Sequence, residues 1–172
     1  MNCQPNPLLD ILILERFEVG FMNCQANRLL EILFLEPVRV CFMNCQANQL
    51  LDFLILENVG FMNCQANGLS KILFLEPVRV CFMNCQANKL LDFLILENVG
   101  FMNCQANGLS DIPILENVCS MNCQANQLLD FLILENVGFM NCQANGLSDI
   151  PILENVCFMN CQANQLLDFL IK

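Results

Sequence analysis

Apolar and polar positions alternate along short stretches, and the alternation then repeats. In Val59-Gly60-Phe61-Met62-Asn63-Cys64-Gln65-Ala66-Asn67-Gly68-Leu69, the inward set is Val59, Met62, Cys64 and Leu69. Phe61 out, Met62 in, Asn63 out, Cys64 in and Gln65 out is the period of two that a half-buried strand requires. Such a strand cannot bury its inner face alone, so copies of it must stack.

The copies are explicit. Met-Asn-Cys-Gln starts at residues 1, 22, 43, 62, 83, 102, 121, 140 and 159, in steps of 19 or 21, and nine units fill residues 1–172 as one array. Residues 121–139 repeat 43–61 letter for letter, and 140–158 repeat 102–120 except that Phe158 replaces Ser120, which points to recent duplication. A unit this short cannot hold two packed helices with their turns; a strand plus a short return path fits.

These residues carry a family resemblance. The eleven-residue segment resembles the leucine-rich repeat pattern L-x-x-L-x-L-x-x-N-x-L, with Met and Cys in leucine slots and Asn67 in the asparagine slot. Leu109-Ser110-Asp111-Ile112-Pro113-Ile114-Leu115 is similar to the L-x-x-L-P-x-L segment of the short bacterial-type repeats. The resemblance implies a solenoid with a parallel sheet on its concave face and a partner-binding role. Short return paths lead us to expect extended or 3₁₀ segments on the convex face, few or no α-helices, and a gently curved arc. Only Pro113 and Pro151 occupy the proline slot, and neither end carries a recognisable cap.

Stacking turns each slot into a column with its own chemistry. The asparagines of the family slot, including Asn48, Asn67, Asn88, Asn107, Asn126 and Asn145, fall where the strand ends and the chain turns. Amides there are expected to bond backbone groups of their own and neighbouring turns, a structural role. The inward set, with Ile72 and Leu75 added, is expected to be core, each side chain worth roughly 1.5–3 kcal/mol when fully buried.

On the other side of the strand, phenylalanines Phe42, Phe61, Phe82, Phe101 and Phe139 form one file. Asn44, Asn63, Asn84 and Asn103 form the next, and Gln46, Gln65, Gln86 and Gln105 a third, with no charge among them and Ser120 breaking the phenylalanine file. A strip on the order of 40 Å long, at about 4.8 Å per strand, is either a contact surface or a set of side chains packing and bonding along their own ladders.

Composition narrows the choice of function. Seven Lys+Arg against 17 Asp+Glu give a net charge of −10, without the basic footprint that nucleic acid requires. The absence of His removes the commonest general base and zinc ligand, and no phosphate loop or activated nucleophile stands out, so no enzymatic activity and no cofactor are expected.

The acids fall into two return-path columns. One is Asp10, Glu31, Asp52, Asp92, Asp111, Asp130, Asp149 and Asp168, interrupted by Lys71; the other is Glu15, Glu36, Glu57, Glu76, Glu97, Glu116, Glu135 and Glu154. They read as a solvated convex ridge or as a site for cations or a basic partner, and stacked like charges should be weaker at low salt.

The 13 cysteines recur at fixed slots, which fits reduced, buried thiols better than a disulfide framework. Cys41 and Cys45, if on one strand, lie about 13 Å apart, too far to share a metal, and no metal site is expected. No basic region precedes an apolar core at Met1-Asn2-Cys3-Gln4, and no apolar run is long enough to span a membrane, so a cytoplasmic chain with no membrane partner is expected. The leading expectation is an interaction scaffold binding an unidentified protein on the Phe/Asn/Gln strip. The alternatives are end-to-end self-association, or a fragment of a longer array with no independent role.

Overall fold

The computed structural model describes residues 2–3, 10–13, 18–34, 39–55, 59–74, 79–93, 98–111, 113–114, 117–129, 132–133, 136–152 and 155–171. In chain order the strands are β1 Asp10–Ile13, β2 Glu18–Asn23, β3 Glu31–Phe34, β4 Arg39–Asn44, β5 Asp52–Ile55, β6 Val59–Asn63, β7 Lys71–Phe74, β8 Val80–Asn84 and β9 Asp92–Phe93. They continue as β10 Val99–Asn103, β11 Pro113–Ile114, β12 Val118–Asn122, β13 Leu132–Ile133, β14 Val137–Asn141, β15 Asp149–Ile152, β16 Val156–Asn160 and β17 Asp168–Ile171.

The even-numbered strands form one eight-stranded parallel sheet in unbroken order from β2 to β16. Every rung therefore lies beside its sequence neighbours, and the chain is a repeat solenoid with no helix among the described residues. Register follows the repeat: Met22 pairs with Met43, Met43 with Met62, and so on to Met140 with Met159. The two extra residues of the longer units leave this register intact.

The return path is more ordered than an irregular connection. Its described parts are themselves strands in parallel register: β1 with β3, β5 with β7 and β9, and β11 with β13, β15 and β17. Stretches such as Asp10-Ile11-Leu12-Ile13 and Asp52-Phe53-Leu54-Ile55 are rich in branched and aromatic residues, which favour a pleated surface. Each lies at the same distance from its unit start, so neighbouring rungs present matching donors and acceptors, and a second sheeted face results.

The core lies between the two faces. Met22, Met43, Met62, Met83, Met102, Met121 and Met140 stack in one fully buried column, Cys24 through Cys142 in the next, and Leu29 through Leu147 in a third. Ile72 closes the core from the return side. Leu75 lies outside the described residues.

Candidate partner-binding face

The outer surface of the eight-stranded sheet is built by a break in alternation. Val40 is buried, Cys41 is exposed, Phe42 is half-buried and Met43 is buried, so two consecutive residues face outward before strict alternation resumes. In-register pairs join Val40 to Val59 and Phe42 to Phe61. The residue between them, occupied in turn by Gly20, Cys41, Gly60, Cys81, Gly100, Cys119, Gly138 and Cys157, alternates glycine with cysteine. A Cβ on Gly60 would lie 2.6 Å from the carbonyl oxygen of Cys41; on Gly100 and Gly138 it would lie 2.5 Å from those of Cys81 and Cys119. Glycine is needed there because the preceding backbone occupies the space of a side chain.

The phenylalanines form an offset ring stack. Centroids are 4.9 Å apart for Phe21 and Phe42, 4.7 Å for Phe42 and Phe61, 4.6 Å for Phe61 and Phe82, and 5.0 Å for Phe82 and Phe101. The stack stops at Ser120 and resumes with Phe139 and Phe158 at 5.1 Å. Ring faces are thus spent on one another, and the outer surface sees mainly ring edges.

Asn44, Asn63, Asn84 and Asn103 lie beside the rings on the same surface, and each is fixed by two kinds of bond. The Oδ1 accepts from a backbone N–H two residues on, as Asn63 Oδ1 does from Gln65 at 3.3 Å. The Nδ2 donates to a glutamine Oε1 of the preceding rung: Asn44 to Gln25 at 2.7 Å, Asn63 to Gln46 at 2.9 Å, Asn84 to Gln65 and Asn103 to Gln86 at 3.2 Å. The Nε2 groups of Gln46, Gln65, Gln86 and Gln105 have no protein acceptor among the described residues, which leaves a row of free donors beside the uncharged Phe and Asn files.

The turn after each strand carries the asparagine column. Asn88 Nδ2 donates to the carbonyls of Cys85 at 2.9 Å and Cys64 at 3.0 Å, while its Oδ1 accepts from the backbone N–H groups of Asn67 at 3.0 Å and Leu69 at 3.3 Å. Asn48, Asn67, Asn107, Asn126 and Asn145 repeat the scheme. Asn48, Asn88 and Asn126, each followed by Gln or Lys, are buried; Asn67, Asn107 and Asn145, each followed by Gly, are only half-buried, because no side chain shields them.

The alanine before each of these asparagines takes a left-handed backbone, with φ of 52° at Ala66 and 54° at Ala87. That conformation disfavours a Cβ by about 1 kcal/mol. It is held by bonds such as Ala66 N–H to the Gln86 carbonyl at 3.0 Å.

The thiols divide into two populations. The column from Cys24 to Cys142 is buried, and each S–H donates to an asparagine carbonyl of the next rung, from Cys24 to Asn44 at 3.5 Å through Cys142 to Asn160 at 3.3 Å. Burial, reinforced at Cys24 by Cys3 and at Cys142 by Cys161, pushes these two thiols up to about 12, and burial alone does the same at Cys64 and Cys104. Cys45, Cys85 and Cys123 are raised by burial and by their column neighbours. The expectation of uniformly buried cysteines fails at Cys41, Cys81, Cys119 and Cys157, which are exposed because they occupy the extra outward position.

On the return face Asp10, Glu31, Lys71 and Asp111 are exposed, and register places Asp10 beside Glu31, Lys71 between Asp52 and Asp92, and Asp149 beside Asp168. Asp130 lies outside the described residues. So does the whole second acidic column: Glu15, Glu36, Glu57, Glu76, Glu97, Glu116, Glu135 and Glu154.

Two features went unread in the sequence. One is the glycine–cysteine alternation. The other is a second amide ladder at Asn117, Asn136 and Asn155, where Asn136 Nδ2 donates to Asn117 Oδ1 at 3.2 Å and Asn155 Nδ2 to Asn136 Oδ1 at 3.1 Å. Their shared Leu-Glu-Asn-Val context was the available signal. Compared with protein-family models, with curated proteins and with solved structures, the chain matches none.

Proposed function

We propose that the chain is a non-enzymatic interaction scaffold of leucine-rich-repeat type, working in the cytoplasm, whose Phe/Asn/Gln face binds a protein partner. The observation that carries this reading is the unspent row of Gln46, Gln65, Gln86 and Gln105 Nε2 donors beside a half-buried ring stack, in files that hold no charged residue. Ring edges supply area that is dehydrated on contact, and the amides supply direction. Replacing Phe61, Phe82 and Phe101 together by Ser removes the apolar half of the surface while leaving the inward columns untouched. Capture of a partner from a lysate is expected to be lost with the circular dichroism spectrum retained; retention of the partner would refute the reading.

A second reading, end-to-end self-association, draws on one observation. Val156, Met159, Cys161 and Leu166 are only partly buried, whereas Val118, Met121, Cys123 and Leu128, the same letters one rung pair earlier, are fully buried. Growth of light scattering with concentration in the purified chain would favour this reading over a monomeric binder.

A further inference from the structure

One place on the sheet surface differs from all the others. Ser120 pairs in register with Phe101 on one side and Phe139 on the other. Among the described residues Phe101 stacks only on Phe82 and Phe139 only on Phe158, so there the two rings that border Ser120 each keep one face without a ring partner. Phe139 is 41% exposed although it belongs to an interior rung, whereas Phe42, Phe61, Phe82 and Phe101 are half-buried.

We propose that this gap, walled by Phe101 and Phe139 and floored by Ser120, is a binding slot for a small planar aromatic molecule that is neutral or cationic. Two rungs span roughly 9.6 Å, so a guest ring midway lies about 4.8 Å from each wall, inside the range for offset stacking. Neighbouring rings in the same file already sit 4.6–5.1 Å apart, so the guest repeats a geometry the fold imposes elsewhere.

The slot is made by one side chain and not by a change in backbone. Phe158 stands in the same local sequence as Ser120, Val-Cys-Phe-Met against Val-Cys-Ser-Met, and pairs in register in the same way. The amide file also shifts at this rung: Asn122 Nδ2 donates to Asn103 Oδ1 at 3.2 Å as well as to Gln105 Oε1 at 3.3 Å. The Ser120 hydroxyl offers a polar contact for a ring substituent. No outward residue on β10, β12 or β14 is charged, and the net charge of −10 disfavours an anionic guest. This inference is separate from the partner-binding reading, which uses ring edges and not ring faces.

The test titrates the full chain with N-methylquinolinium, a planar cation, followed by calorimetry and by the probe's proton shifts in NMR. One site per chain is expected, with upfield movement of the probe's ring protons. Ser120→Phe fills the slot with the ring that the equivalent rung already carries and should weaken binding at least tenfold without loss of the circular dichroism spectrum. Phe61→Ser opens an equivalent gap between Phe42 and Phe82 and should raise the stoichiometry to two. Absence of binding at millimolar probe, equal affinity in Ser120→Phe, or an unchanged single site in Phe61→Ser would overturn the proposal. Ser120→Phe leaves Phe61, Phe82 and Phe101 in place, so partner capture can survive the loss of the slot and the two readings fail independently.

Discussion

A single asparagine in this solenoid works for two rungs at once. Asn88 gives both amide protons to the carbonyls of Cys64 and Cys85 and takes protons from the backbone of Asn67 and Leu69, and no other side chain has that donor and acceptor geometry at that reach. Asn88→Ala is expected to lower stability by about 2–4 kcal/mol, because it strands buried backbone groups on both sides of the turn; denaturant unfolding of the variant beside the parent reads this directly. The role of this column was legible beforehand because Asn recurs where apolar alternation stops. The exposure of Cys41, Cys81, Cys119 and Cys157 was not: strict alternation cannot foresee two consecutive outward residues, and that break depends on how the strand bends into its rung.

Between elements, the close approach of successive backbones decides what fits. The Gly100 Cα faces the Cys81 carbonyl so closely that an added methyl group would sit 2.5 Å from the oxygen. Gly100→Ala should therefore destabilise by about 1–3 kcal/mol through forced separation of β8 and β10, whereas Gly20→Ala, with nothing within 4 Å of the new methyl group, should not. Comparing the two unfolding midpoints separates crowding from the intrinsic glycine-to-alanine effect. Pairing of the return segments into three short parallel sheets was only half readable. Their extended character follows from residues such as Ile11, Leu12 and Ile13, but their register depends on equal path lengths around neighbouring rungs, a property of the closed rung and not of any one stretch.

For the molecule as a whole, the buried thiol column ties stability to pH. An unfolded chain ionises its cysteines near the ordinary thiol value of 9.0, while the folded chain holds the protons of Cys24, Cys64, Cys104 and Cys142 up to about 12. Above pH 9 the unfolded state therefore binds fewer protons than the folded one, and stability falls as pH rises. This part of the stability is fully present below pH 9 and is lost across the window from 9.0 to about 12. Melting temperatures recorded from pH 7 to pH 11 should be flat at first and then decline, and alkylation at pH 8 under native conditions should reach Cys41, Cys81, Cys119 and Cys157 well before the buried column.

The glycine–cysteine alternation also limits how such an array can change in length. Inserting or deleting a single copy would bring two cysteines or two glycines together, and a second consecutive cysteine would press its Cβ against the oxygen of the first. Gain or loss of two copies at a time avoids that clash. Residues 140–171 repeat 102–133 with one change, Phe158 for Ser120, as a two-copy block would. The repeating module of this sheet face is a pair of rungs.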